Sequence, residues 1–219
     1  NNMKAHSFIY LIIYSCFIMS VSLQAQEHFA DRYNVSYITM DDGLPHNFID
    51  DIYKDTRGFL WISTAGGGLS RYDGYEFIHF NPNTPHSKLK SNFIHNVYED
   101  RFHRLWIVSE GGTDIIDLST LQSVIPNDPK GLLPRFINHP TYIVILDSQG
   151  CIWLQCDNAL HRITFDAEGG IDTLSTLDLP EQDEPDLILK DIDEDGKIWT
   201  GINGTIYKIT PTPQGQLEK

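Results

Sequence analysis

The chain has four tryptophans, Trp61, Trp106, Trp153 and Trp199, and they follow one another at steps of 45, 47 and 46 residues. Each is preceded, six residues earlier, by an aspartate: Asp55, Asp100, Asp147 and Asp193. Three residues after the aspartate stands Gly58, Gly150 or Gly196, with His103 in the second copy. Independent tryptophans do not fall into such a series, so the chain is built from repeats and every other feature has to be read against the repeat.

A period near 46 residues leaves two main architectures, paired-helix solenoids and propeller blades. The interior of one copy separates them. Ile49-Asp50-Asp51-Ile52-Tyr53, Phe59-Leu60-Trp61-Ile62-Ser63-Thr64 and Tyr75-Glu76-Phe77-Ile78-His79-Phe80 are short runs rich in aromatic and β-branched residues, each bounded by turn formers. That is the composition of strands. No copy holds a long stretch with apolar residues at helical spacing. Asp-x-x-Gly reads as a tight turn, because aspartate accepts local backbone hydrogen bonds and glycine tolerates positive φ. With His103 in the glycine place, the second turn is expected to differ in shape. Gly66, Gly67 and Gly68 mark another turn after Trp61, a role taken by Asp157-Asn158 and Asn203-Gly204 in the later copies. Four short strands with tight turns make one blade, so the fold expected is all-β: about four four-stranded β-propeller blades. The tryptophans are expected to pack between blades as glue.

Residues 1–25 read as a secretory leader, with Lys4 ahead of an apolar run at 8–21 and a small-residue site ending at Ala25. The run is too short to span a bilayer comfortably. The remainder, 26–219, reads as a partial propeller with blades at about 45–80, 92–126, 139–178 and 185–219. Tyr33 to Thr39 reads as a lone strand of the kind that completes a ring's last blade. Asn47-Phe48-Ile49 recurs as Asn92-Phe93-Ile94, which extends the repeat beyond its tryptophan. Residues 81–91 and 127–140 read as loops, the third copy as degenerate, and the fourth as lacking its outer strand.

The run from Gly43 to Phe77, GLPHNFIDDIYKDTRGFLWISTAGGGLSRYDGYEF, closely resembles the first repeat of the two-component regulator propeller family. That family occupies the periplasmic sensor region of bacterial hybrid two-component proteins. The resemblance is strongest in the first copy, covers the second and fourth in part, and in the third reaches only the Asp-x-x-Gly-x-x-Trp core. It implies a seven-bladed ring of which this chain holds an incomplete part, and a sensor of oligosaccharides. It further implies dimeric signalling to a downstream histidine kinase, with the missing blades of the same chain as partners. Catalysis would then lie outside these residues. An exported propeller enzyme acting on polysaccharides, or a scaffold without ligand, are the alternatives.

Sixteen Lys and Arg stand against 30 Asp and Glu, a formal charge of −14. That balance opposes nucleic acid and polyanionic ligands. Cys151 and Cys156 lie too far apart along one strand to pair, about 16 Å at strand rise, so free buried thiols are expected. Asp191-Ile-Asp193-Glu-Asp195-Gly196 matches the first half of a calcium loop, but its twelfth place is Ile202 and its ninth Trp199. The blade repeat already accounts for Asp193, Gly196 and Trp199. Gly66 to Gly68 lacks the lysine of a phosphate loop, and the nine histidines show no zinc spacing. No catalytic, metal or cofactor residues are therefore assigned. The residues singled out are the structural set Asp55, Gly58, Trp61, Asp100, Trp106, Asp147, Gly150, Trp153, Asp193, Gly196 and Trp199.

Overall fold

The computed structural model describes residues 35–85, 88–157, 159–178, 188–193, 195, 197–202, 205–211 and 217–218. Residues 35–38 fall in a separate unit from 39–219 and are exposed. The larger unit consists of four antiparallel sheets of four strands each, and each sheet runs in simple up-and-down order.

The first sheet holds β1 (Ile49–Lys54), β2 (Leu60–Thr64), β3 (Gly68–Tyr72) and β4 (Phe77–Phe80). The second holds β5 (Ile94–Glu99), β6 (Arg104–Ser109), β7 (Gly112–Asp117) and β8 (Gln122–Ser123). The third holds β9 (Thr141–Leu146), β10 (Ile152–Cys156), β11 (Ala159–Phe165) and β12 (Ile171–Asp178). In the fourth are β13 (Ile188–Ile192), β14 (Ile198–Ile202), β15 (Thr205–Pro211) and β16 (Leu217–Glu218). First strands of successive sheets lie side by side, β1 against β5 and β5 against β9. These are propeller blades of an incomplete propeller: among the described residues the four sheets form no closed ring.

Strand alternation gives each blade two unlike faces. The tryptophan on the second strand points from the front of its blade into the back of the next. Trp61 packs with Val97, Leu105, Ile107 and Ile116 of the second blade. Trp106 packs with Val144, Ile152, Leu154 and Ile163 of the third, and Trp153 with Ile198 and Ile209 of the fourth. All three indoles are fully buried. A large flat ring on one face and β-branched or Leu side chains on the other give the interdigitation that close packing requires. The two outermost faces lack that cover. Trp199 is 38% exposed, and Ile52, in the place that Val97 fills at 2%, is 60% exposed.

Several sequence expectations change. The turn at His103 does not differ in shape: His103 takes φ +59, close to Gly58 at +93 and Gly150 at +76. The same hydrogen bonds hold it, His103 N to Asp100 O at 3.1 Å and Asp100 N to Arg104 O at 2.9 Å. Histidine tolerates this region better than most residues, and its Nδ1 gains a bond to Glu99 Oε1 at 2.8 Å. Among the described residues the third blade is the most fully paired of the four despite its divergent sequence, with seven β11–β12 pairs and one register shift, between Thr164 and Phe165. The fourth has its outer strand, since Thr210 pairs with Glu218 and Pro211 with Leu217. Within the loop 127–140 a short helix, α1 (Pro134–Ile137), buries Phe136 against the third blade's core. Residues 35–39 of the expected ring-closing stretch adopt no strand. The four described sheets each hold four strands of their own, and the last blade of a closed ring, which this stretch is expected to complete, is not among them. Tyr33, Asn34, the leader at 1–25, Asn158, Asn203, Gly204 and Gly196 lie outside the described residues.

Candidate functional site

The repeated aspartate does two jobs at once. In the first blade Asp55 Oδ1 accepts the backbone N–H of Arg57 and Phe59 at 3.0 and 2.9 Å, closing the turn, and Oδ2 accepts the indole N–H of Trp61 at 2.9 Å. Asp100 repeats this with Phe102, Arg104 and Trp106 at 2.8, 3.1 and 2.8 Å. Asp147 repeats it with Gln149, Cys151 and Trp153, and Asp193 with Asp195, Lys197 and Trp199. The spacing of six is thus set by one carboxylate that must reach both its own turn and the indole one strand away. Buried carboxylates need compensation, and at Asp100 and Asp147 cations supply it, Arg104 Nε at 2.7 Å and Arg162 Nε at 3.1 Å; the partly exposed Asp193 has Lys208 Nζ at 3.5 Å. These residues hold the blades together. Asp193, the one expected metal-loop residue described with both oxygens in contact, spends them on Lys197, Asp195, Trp199 and Lys208. Cys151 and Cys156 are free and buried, and burial pushes both thiols up to about 11.

At the turn end, side chains tie one blade to the next. Glu99 Oε2 accepts Thr56 N and Oε1 accepts Thr56 Oγ1, both at 2.7 Å, while His103 Nδ1 lies 2.8 Å from Oε1. Burial pushes the Glu99 carboxyl up, but the Thr56 N–H, His103 and the Thr56 hydroxyl together hold it below its usual range. A carboxylate lowered on folding stabilises the fold above its unfolded pKa, near 4.3, and that contribution is lost as pH falls through the lower folded value. Glu99→Gln is accordingly expected to weaken the chain at neutral pH and to flatten its loss of stability below about pH 4.5. Urea midpoints measured from pH 7 down to pH 3 check this, and parallel curves for the two proteins would contradict it.

At the opposite end of the blades the first strands carry a repeated irregularity. The ladder of β1 skips between Ile49 and Asp51, that of β5 between Ile94 and Asn96, and that of β9 between Thr141 and Ile143. The extra residues are Asp50, His95 and Tyr142, each eleven residues before its tryptophan. In the fourth blade the skip falls between Leu189 and Asp191, nearer Trp199 and out of series. A bulge bends its strand and re-aims a side chain. The next residue then ties the neighbouring strand: Asp51 Oδ2 accepts Val97 N at 3.3 Å, and Asn96 exchanges two bonds with the Val144 backbone at 2.9 and 3.0 Å.

The re-aimed side chains come together. His95 and Tyr142 rings lie 5.3 Å apart, and His95 Nε2 is sealed from solvent with no hydrogen-bond partner among the described residues. Burial pushes the imidazole below the usual histidine range, against the pull of Glu110 and Asp50. Phe48 and Phe93, each two residues before a bulge, are 63% and 51% exposed. Ala65 N donates to Phe48 O and Glu110 N to Phe93 O, which sets both aromatics beside the turns after β2 and β6. Gly66 in that first turn would place a Cβ 3.7 Å from the Phe93 ring. The result is a rim of aromatic faces, two carboxylates and an imidazole. Sequence reasoning passed over Asp50, His95 and Tyr142, although their steps of 45 and 47 match those of the tryptophans. The chemistry at the repeated place varies while the spacing does not, so a search for identical residues misses it. Arg71 lies 4.3 Å over the Phe59 ring, away from this rim, and Tyr75 stands 91% exposed on the β3–β4 turn.

A family model described as "Two component regulator propeller" matches residues 43–66 and 88–111, each span holding one bulge residue, one aspartate turn and one tryptophan. Comparison with curated protein sequences finds no match. Among solved structures, the chain resembles the extracellular domain assigned to a hybrid two component system of B. thetaiotaomicron, with 24% identity, a TM-score of 0.54, and coverage of 80% of this chain and 24% of that one. A second such domain from the same organism gives 19% identity and a TM-score of 0.52, covering 84% of this chain and 31% of that one. The chain therefore spans about a quarter to a third of those structures. A virginiamycin B lyase from Staphylococcus aureus also resembles it, with 17% identity, a TM-score of 0.53, and coverage of 78% of this chain and 54% of the lyase. At these identities the likeness is one of fold.

Proposed function

We propose, for a chain that carries two component regulator propeller repeats, that it forms part of the periplasmic sensing propeller of a hybrid two-component protein. In this reading it recognises an oligosaccharide and passes the signal, through a homodimer, to a histidine kinase elsewhere in the same protein. The observation that carries the reading is the pair of matched repeats, with the aspartate turn and tryptophan intact in both. The uncovered faces at Trp199 and Ile52 add to it, because each has the chemistry that a further blade of the same chain would bury. A net charge of −14 disfavours nucleic acid as the ligand. Among the described residues no helix is long and apolar enough to cross a membrane.

A second reading is an exported propeller enzyme acting on polysaccharides; the likeness to a virginiamycin B lyase, which is one of fold, supports only that such blades can carry an enzyme. Reading the gene past the codon for Lys219 separates the two. The sensor requires further copies at a period near 46 residues, then a membrane helix and kinase motifs. A frame that ends without them overturns it, and turnover of a polysaccharide by the purified protein would put the enzyme in its place.

A further inference from the structure

We infer that the rim formed by Phe48, Asp50, Phe93, His95, Glu110 and Tyr142 is a ligand site, and that it takes a hydroxyl-rich ring carrying no negative charge. The inference rests on the sensing reading and adds to it a location and a charge preference. Two observations point the same way. Three successive blades place a bulge residue at one position on their first strands, and bulges recur where a side chain is turned toward a function. Here they turn an acid, an imidazole and a phenol to one end of the propeller, with His95 against Tyr142 at 5.3 Å. Phe48 and Phe93 leave large apolar surface in water at that same end.

The rim's polar groups set the chemistry. Asp50 and Glu110 are hydrogen-bond acceptors, and both exert negative potential on His95. Hydroxyl donors satisfy carboxylates, whereas a uronate or sulfate placed beside them would be repelled. Lys90, whose stem lies against Gly111, is not free to offset this: its Nζ is held by Asp114 Oδ1 at 2.8 Å and Thr113 O at 2.9 Å. The aromatic faces suit the apolar C–H face of a sugar ring, and such sites commonly join a few aimed polar groups to apolar walls.

The test is a glycan array printed with neutral, uronate-containing and sulfated oligosaccharides, probed with the full chain and with Asp50→Asn and Phe93→Ala. Both residues are exposed, so neither substitution removes core packing; His95→Gln serves as a third variant with its thermal midpoint recorded. Binding confined to neutral oligosaccharides is expected, weakened about tenfold or more by Asp50→Asn and by Phe93→Ala. Binding only to uronate or sulfated spots overturns the charge preference. Neutral binding that survives all three substitutions overturns the rim and leaves the sensing reading standing. No binding to any oligosaccharide overturns both.

Discussion

Trp106→Ala is expected to remove about 3–5 kcal/mol of stability, the range for truncating a large buried aromatic side chain. The indole is fully buried between the second and third blades, among Val144, Ile152, Leu154 and Ile163. Truncation opens a cavity at the joint and leaves Asp100 Oδ2 without the indole N–H that it accepts at 2.8 Å. Trp199→Ala makes the matching control. Its indole keeps the bond to Asp193 at 2.9 Å and lies beneath Lys208, but it is 38% exposed with no blade over it. Its loss is expected to cost less than half as much, because part of its surface is already in water. Urea unfolding followed by far-ultraviolet circular dichroism measures both. Equal costs would mean that the tryptophans stabilise only their own blades, and the account of the joints would fail.

The second large effect is expected at the carboxylate beneath that indole. Asp100→Ala deprives two backbone N–H groups of the second turn, the Trp106 indole and the buried Arg104 guanidinium of their shared acceptor. Removing one partner of a buried ion pair costs about 3–5 kcal/mol, mostly because the remaining charge stays buried and unpaired. Arg104 retains a bond from Nη1 to Gly169 O at 2.7 Å, which fixes it in the joint rather than letting it turn to solvent. A second change, Arg104→Met in the Asp100→Ala background, is therefore expected to recover a substantial part of the loss. No recovery would show that the turn, and not the stranded cation, dominates. Asp193→Ala, whose side chain and Lys208 partner are both partly exposed, is expected to cost much less than Asp100→Ala, because solvent screens the pair.

The repeat was legible because its defining residues serve one local geometry. A carboxylate that closes a tight turn and also reaches an indole one strand away fixes both residue types and the interval between them. Asp55, Asp100, Asp147 and Asp193 show that interval four times over. The turn at His103 was misread because the sequence shows the missing glycine but not the Glu99 bond that supports a side chain at positive φ. The outer strand of the fourth blade was missed for another reason: two residues, Leu217 and Glu218, carry no pattern of their own and become a strand only by pairing with β15.

What the sequence determined by itself was the unit: four short strands per copy, the aspartate turn, the tryptophan, and the β class of the whole. Those are local matters of turn chemistry and side-chain period, repeated often enough to stand out. Only the tertiary structure decided what meets at the end of the blades. The rim of Asp50, His95 and Tyr142 depends on bulges in three separate strands and on the spacing between neighbouring blades. Residues about 45 apart become neighbours there because stacked blades bring like positions together, whatever side chain each copy supplies.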